Sequence, residues 1–102
     1  MNGIQYYFDW DAAKARTNAV KHGVSFERAT TVFRDPRAVS IFDAEHSRDE
    51  DRWVTIGCDS TGVPLVIVHT FDAENARVYH VRLISARKAT KRETAQYHSG
   101  KL

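Results

Sequence analysis

The sequence has a single cysteine and no long apolar run, and each of these absences argues against a class of protein. A single cysteine, Cys58, cannot form an internal disulfide, which argues against a disulfide-held secreted domain and favours a cytoplasmic protein. The longest apolar stretch, near residues 65–68, is far shorter than the ~20 residues that span a bilayer, so we expect no membrane segment. The opening MNGIQYYFDW also lacks the basic and apolar regions of a secretory signal.

What is present is typical of a folded globular protein. Hydrophobic residues make up 42% of the 102 residues and charged residues 27%, which excludes a disordered chain. This length supports one hydrophobic core and is too short for two. We found no internal repeat, low-complexity segment or flexible linker. The sequence therefore predicts a single domain over residues 1–102.

The net charge of +2 is unevenly distributed. Residues 77–102 carry seven basic side chains against one acidic, whereas residues 43–59 carry six acidic against two basic. A basic quarter in a near-neutral chain suggests a surface that meets a phosphate backbone. The alternative, and the commoner reason for such runs, is a solvated charged tail.

The first half of the chain predicts one strand and two helices. Residues 6–10 are aromatic, which favours a strand. Asp9 or Asp11 can cap a helix that runs to about Lys21, and Gly23 can end it. Ser25 can cap the second helix, which Asp35-Pro36 would end. The apolar face of this helix comprises Phe26, Ala29, Thr30 and Phe33.

The second half predicts a sheet and a last short helix. Strand-like segments cover residues 38–43, 52–58, 63–71 and 77–86, separated by the acidic loop 43–51 and by polar turns at 59–62 and 72–75. Thr90 followed by Glu93 is a capping box, so a helix should begin near residue 91. The order predicts an α+β domain: an antiparallel sheet of about four or five strands, two N-terminal helices packed on it, and a short C-terminal helix.

Three blocks of the sequence, together covering most of residues 6–97, are FDWDAAKARTNAVKHGVSFERATTVFRDP, HSRDEDRWVTIG and RLISARKATKRE, in this order. They resemble the BrnT family, the toxin half of a bacterial type II toxin–antitoxin pair. The resemblance implies a RelE-like fold and a ribonuclease that slows translation without a metal or other cofactor. It also implies a BrnA-type antitoxin, which contacts operator DNA through its own ribbon-helix-helix domain.

Cleavage of RNA by its own 2′-hydroxyl requires a base, a cation on the phosphorane, and an acid for the leaving oxygen. Arg87, at the end of the last strand, is the strongest candidate for the cation because its fork can bind two phosphate oxygens. We expect Arg52 to assist it. The alternative for Arg52 is an ion pair with Glu50 or Asp51.

His22 is the candidate general base or acid, aided by Lys21 and by Asn18 one turn earlier. The alternative is that His22 only bonds the last carbonyls of the first helix. His69 and His80 are better explained as satisfied strand histidines, and their spacing matches no metal-ligand signature, so we expect no metal site. Tyr97 could stack on a base or donate a proton, and the alternative that we expect is hydrophobic packing of the last helix.

The remaining cations are candidates for RNA binding. Arg82 lies in mid-strand, so it would bind RNA if its sheet face is open and pair with a carboxylate if that face is covered. Lys88, Lys91 and Arg92 would hold phosphates without reading sequence. The alternative for these three is a solvated surface.

Three functions fit these observations. The first is the toxin endoribonuclease, whose partners are RNA and the antitoxin. The second is a nucleic-acid-binding or co-repressor module that binds without cutting. The third is a protein-interaction domain whose cationic end holds an acidic partner.

Overall fold

The computed structural model describes residues 3–100, which form a six-stranded sheet and three α-helices. Two 3₁₀ turns, Thr31–Arg34 and Ala44–His46, lie between them. The helices are α1 (Ala12–His22), α2 (Phe26–Thr30) and α3 (Lys91–Ser99). The strands are β1 (Gln5–Asp9), β2 (Val39–Phe42), β3 (Trp53–Cys58), β4 (Pro64–His69), β5 (Asp72–Ala73) and β6 (Val78–Lys88).

The sheet is mixed, which corrects the antiparallel expectation. The strand order is β1-β6-β4-β3-β2, and β5 pairs with β6 outside this path. β1 runs parallel to β6, from Gln5 opposite Val78 to Asp9 opposite Arg82, while the other pairs are antiparallel. The α+β class is confirmed. Short polar turns identify hairpins, but they carry no information about a pairing between the two ends of the chain.

The helix ends follow the local signals in the sequence. The Asp11 side chain accepts the Lys14 N–H, Gly23 ends α1 with φ of 67°, and the Ser25 side chain accepts the Arg28 N–H. Thr90 and Glu93 form the expected capping box of α3. The second helix is shorter than predicted, because the chain tightens into a 3₁₀ turn after Thr30.

The main core lies between one face of the sheet and the first two helices. Leu65, Ile67 and Leu83 point from β4 and β6 into this layer, where Phe26 of α2 is fully buried. Aromatic side chains of β1 close the side of the core, with Tyr6 and Phe8 both packed against Phe33. This layer positions α1 along the edge of β6.

Asn18 fixes α1 to β6. β1 pairs with β6 only as far as Arg82, so the edge of β6 beyond that residue lacks a neighbouring strand. The Asn18 amide donates to the Ala86 carbonyl (2.8 Å) and its oxygen accepts the Ala86 N–H (3.0 Å). The same amide nitrogen donates to the Val24 carbonyl at 3.0 Å. One buried side chain thus satisfies the backbone N–H and C=O of Ala86 at this edge and orients α1.

The opposite side of the sheet, which we call the open face, is covered only in part. Val66 and Ile56 form a small second cluster there with Tyr97 of α3, which confirms the expected packing of Tyr97. Away from α3, this face carries Tyr7 of β1 and Arg82 of β6, both exposed. Because β6 extends to Lys88, two residues beyond the prediction, Arg87 lies within the strand.

Candidate functional site

A groove separates α1 from β6, and none of the described residues that line it is a carboxylate. Its volume is about 310 Å³, and we call it the α1–β6 groove. Three of its side chains are nitrogen-bearing groups that can carry positive charge: Lys14, Lys21 and His22. The other lining residues are Ala13, Thr17, Asn18, Ile84 and Ser85. The groove therefore suits an anionic ligand.

His22 and Lys21 reach this groove from the last turn of α1. Among residues 3–100 neither side chain has a hydrogen-bond or ion-pair partner in the protein, and His22 is half-buried. The end of α1 is closed by the Gly23 N–H, which donates to the Ala19 carbonyl. Capping of α1 thus does not require the imidazole, and His22 remains free to contact a ligand.

Asn18 does not assist His22 as expected. Its amide donates to two backbone carbonyls and its oxygen accepts one backbone N–H. The side chain is buried, at 7% exposure. Asn18 therefore holds the groove together and contributes no free polar group to it.

Arg87 lies on the open face, two residues beyond Ser85, and is ion-paired. Its Nη1 and Nη2 donate to the two carboxylate oxygens of Glu93 at 2.8 and 2.9 Å. The Arg87 hydrogen bonds lower the pKa of Glu93 to about 2, and those from Thr90 contribute to the same shift. The pair raises the pKa of Arg87, so the guanidinium stays charged.

The pair with Glu93 leaves part of the Arg87 fork available. A guanidinium has five N–H donors. Two of those on Arg87 bind Glu93, and a third approaches the Lys88 carbonyl at 3.4 Å. The remaining two, on Nε and Nη2, lie along one edge of the guanidinium. Glu93 thus orients Arg87 while leaving a two-donor edge that can bind a phosphate.

Ser85 connects the groove to Arg87, and sequence reasoning missed it. Ser85 pairs with Val68, and Arg87 pairs with Val66, so their side chains lie on the same face of β6. The two backbone positions are roughly 7 Å apart along the strand. The Ser85 side chain has no hydrogen-bond partner among the described residues. Its position two residues before Arg87 was the signal that could have identified it.

Arg82 and Arg52 lie farther along the sheet. Arg82 is exposed, so its sheet face is open. Its positive charge is nevertheless paired with the carboxylate of Glu50 in the acidic loop. Arg52 is half-buried beside that loop and, among residues 3–100, forms no ion pair with Glu50 or Asp51.

The strand registers separate Arg52 from Arg87. Ile56 lies opposite Val66, which lies opposite Arg87. Arg52 is four residues before Ile56, so its backbone is roughly 15 Å from that of Arg87. The two arginines thus extend from well-separated positions on the sheet.

The other predicted cations are dispersed. Lys88 pairs with Leu65 and lies on the sheet face opposite to Arg87. Lys91 and Arg92 are exposed in the first turn of α3. None of these three side chains forms an ion pair within residues 3–100. These three cations therefore lie around the junction of β6 and α3 and do not form a single compact pocket with Arg82.

The histidine in β4 is satisfied within the core. The His69 Nδ1–H donates to the Thr70 carbonyl at 2.7 Å, so Nε2 accepts from the Thr55 hydroxyl at 2.6 Å. Burial lowers the pKa of His69. Among residues 3–100, no group of three His, Cys, Asp or Glu side chains is arranged to hold a metal ion.

A family profile described as "Ribonuclease toxin, BrnT, of type II toxin-antitoxin system" matches residues 10–93. The chain belongs to the BrnT family. The match includes His22, Arg52, Arg82 and Arg87, and it ends at Glu93. Members of the BrnT family are thus described as ribonuclease toxins that act within a toxin–antitoxin pair.

A solved BrnT structure has a similar fold. The crystal structure of the Brucella abortus ribonuclease toxin BrnT aligns with a TM-score of 0.57 at 20% sequence identity. The alignment covers 86% of this chain and all of that one. Comparison with curated proteins gave no match. Within the described residues, no helix combines the length and the apolar character needed to cross a membrane.

Proposed function

We propose that this BrnT-family chain is an endoribonuclease that cleaves RNA by attack of the 2′-hydroxyl on the adjacent phosphorus, without a metal or other cofactor, in the bacterial cytoplasm. Its fold would be of the RelE-like kind, and its action would slow translation. The observation that carries this proposal is the α1–β6 groove, because the described residues that line it include an imidazole without a partner among them, two lysines and no carboxylate. Such a lining favours a phosphodiester over a neutral ligand.

Arg87 would bind the scissile phosphate through its free Nε and Nη2 edge. Glu93 holds the guanidinium in one orientation, which reduces the entropy lost on binding. As the phosphorane forms, negative charge accumulates on its equatorial oxygens, and an oriented charged donor stabilises it more than it stabilises the ground state. Lys21 would add a second positive charge from the other side of the groove.

His22 would either accept the proton of the 2′-hydroxyl as a general base or donate a proton to the leaving 5′ oxygen as a general acid. Its ring has no hydrogen-bond or ion-pair partner among residues 3–100, and it shares the groove with Ser85. The Ser85 hydroxyl can donate to a phosphate oxygen between His22 and Arg87. The imidazole and the guanidinium would thus act on the same phosphodiester from adjacent elements.

Outside the groove, the dispersed cations would hold neighbouring phosphates. Lys88, Lys91 and Arg92 would contact the RNA near α3, and Arg82 and Arg52 would contact it at the other end of the open face. Contacts of this kind position the strand without specifying sequence. Arg82 would exchange Glu50 for phosphate when RNA binds.

A BrnA-type antitoxin would neutralise the toxin by covering the α1–β6 groove. Operator DNA would be bound only through the ribbon-helix-helix domain of that partner. The support is the family, whose toxins act in type II pairs.

The second candidate is a module that binds nucleic acid without cutting it. The observation that favours it is that two arginines on the open face, Arg82 and Arg87, are already paired with carboxylates. The two functions differ in the products that they generate from RNA.

Incubation of the purified protein with RNA in excess EDTA distinguishes them. We expect cleavage with 2′,3′-cyclic phosphate ends, at a rate that falls by at least 10²-fold in His22→Gln because general acid–base catalysis contributes about that much or more. His46→Gln is the matched control, since His46 is exposed and pairs with Asp43 in the acidic loop. RNA that is retained intact would support the binding module, and a fully active His22→Gln would remove His22 from the mechanism.

A further inference from the structure

A second cleft lies on the open face at the other end of β6, beside exposed aromatic rings. Its volume is about 290 Å³. Tyr7 of β1 and His80 of β6 form its wall, with ring centroids 5.4 Å apart and an angle of 20° between the rings. Tyr7 is 49% exposed, so the outer face of its ring is free. The rest of the lining comprises Phe8, Asp9, Glu50, Thr70, Asp72, Val81 and Arg82.

The Tyr7–His80 pair is not needed for the core, because β1 supplies other, half-buried aromatic rings to it. Tyr6 and Phe8 pack against Phe33 on the core side of the sheet, as expected for aromatic strand residues. Tyr7 points the other way and contributes nothing to that core. A flat aromatic surface on an open sheet face is a common platform for an unstacked nucleobase.

The polar groups of this cleft favour a base over a phosphate. Three carboxylates line it, and only Glu50 is neutralised, by its pair with Arg82. The Asp72 side chain has no hydrogen-bond or ion-pair partner among the described residues. Unpaired carboxylates repel phosphate, but they accept hydrogen bonds from the N–H groups of a base. Guanine presents two adjacent donors, N1–H and N2–H, which match the two oxygens of one carboxylate, whereas uracil flanks its single N–H with carbonyl oxygens.

The distance between this cleft and the α1–β6 groove suits one RNA strand. From His80 to Ser85 the backbone of β6 covers roughly 17 Å, a length that a few extended nucleotides span. Arg82, on the same strand, lies at the end of the cleft that is nearer to the groove. A base in the cleft would therefore belong to the same RNA segment as the phosphate at Arg87.

We propose that the Tyr7–His80 cleft is a nucleobase subsite that selects guanine a few nucleotides from the scissile phosphate, by stacking on Tyr7 and by a carboxylate–guanine hydrogen-bond pair with Asp72. The inference rests on the proposed ribonuclease function for its place in the reaction. Binding at the subsite can nevertheless be measured without cleavage.

The test uses non-cleavable 2′-O-methyl oligouridine seven-mers with one guanosine placed at each position in turn. We expect guanosine at a restricted position to tighten the dissociation constant by about tenfold over the all-uridine oligomer, and inosine, which lacks the N2 amino group, to give a smaller gain. Loss of stacking in Tyr7→Ala should weaken guanosine binding by roughly 5- to 100-fold, whereas Tyr7→Phe should retain most of it.

Asp72→Asn should remove the preference for guanosine. Glu27→Gln is the matched control, because it removes one exposed carboxylate from α2 on the other side of the sheet and should raise affinity for all oligomers equally. Equal affinity for guanosine and uridine at every position, unchanged binding by Tyr7→Ala, or no measurable binding would each overturn the subsite.

The outcomes also separate the two proposals. Guanosine preference in a protein that cuts no RNA would keep the subsite and overturn the ribonuclease mechanism. Cleavage that depends on Arg87 but shows no guanosine preference would keep the ribonuclease mechanism and overturn the subsite.

Discussion

At the scale of single residues, the most informative contact is the pair between Arg87 and Glu93. Glu93 has two tasks, because Oε1 also accepts the Thr90 N–H that begins α3. One carboxylate thus caps the helix and orients the arginine at the candidate site. The sequence revealed the capping box, but not the ion pair, because local spacing cannot show that the end of β6 turns its Arg87 towards the helix that follows.

This contact predicts a specific dependence of stability on pH. The pKa of Glu93 is lowered to about 2 from an ordinary value near 4.5, so the stabilisation is complete above pH 4.5 and is lost as the pH falls towards 2. Both side chains are partly exposed, which limits the effect to about 1 kcal/mol. The free energy of unfolding should therefore differ between the protein and Glu93→Gln at pH 6, and the difference should shrink towards pH 2.

Chemical denaturation at a series of pH values measures this difference directly. Glu27→Gln serves as the control, since Glu27 is exposed and forms no ion pair within the described residues. A difference that stays constant from pH 6 to pH 2 would show that the Arg87–Glu93 pair contributes nothing to stability.

At the scale of elements, the contact between α1 and β6 depends on the hydrogen bonds of Asn18. Removal of its side chain would leave the Ala86 and Val24 backbone groups buried without partners. We expect Asn18→Ala to lower the free energy of unfolding by about 3 kcal/mol. Asn18→Asp should cost at least as much, because a carboxylate cannot donate to the two carbonyls.

Urea denaturation of both variants measures how much Asn18 contributes to stability. The control is Thr17→Ala, because Thr17 is exposed and lies one residue earlier on the same helix. A loss below about 0.5 kcal/mol in Asn18→Ala would contradict the account, since that is the range of ordinary surface substitutions.

The elements also show what sequence reasoning could reach. Asp11, Gly23 and Ser25 begin or end helices through contacts within a few residues, so their roles were predictable. The parallel pairing of β1 with β6 and the bond from Asn18 to Ala86 join residues about 70 positions apart, which no local pattern encodes. The candidate site divides in the same way: the sequence named Arg87 as a candidate, whereas Lys14 became a candidate only when α1 was placed beside β6.

At the scale of the whole molecule, charge is separated along the open face. Within the described part of the chain, no carboxylate lines the α1–β6 groove, whereas several line the Tyr7–His80 cleft and the acidic loop. A single RNA strand would therefore be held by phosphates at one end and by a base at the other. Affinity for RNA should depend on salt, mostly through the basic end.

Removal of one phosphate contact should change that dependence by a defined amount. In Lys91→Ala, the slope of log affinity against log salt should become shallower by about 0.7, the value for one contact to a single strand. Fluorescence anisotropy with a labelled oligonucleotide at several salt concentrations gives the slope. A slope identical to that of the unmodified protein would show that Lys91 contacts no phosphate and is only a solvated surface residue.

The central claim, that Arg87 stabilises the phosphorane, is tested most directly by single-turnover RNA cleavage in EDTA by Arg87→Ala and Arg34→Ala. Both variants lose one guanidinium, but Arg34 is exposed in the 3₁₀ turn on the core side of the sheet. The account predicts that Arg87→Ala loses about 10²-fold or more in rate while Arg34→Ala keeps the original rate. Equal rates in the two variants, with both folded, would contradict it.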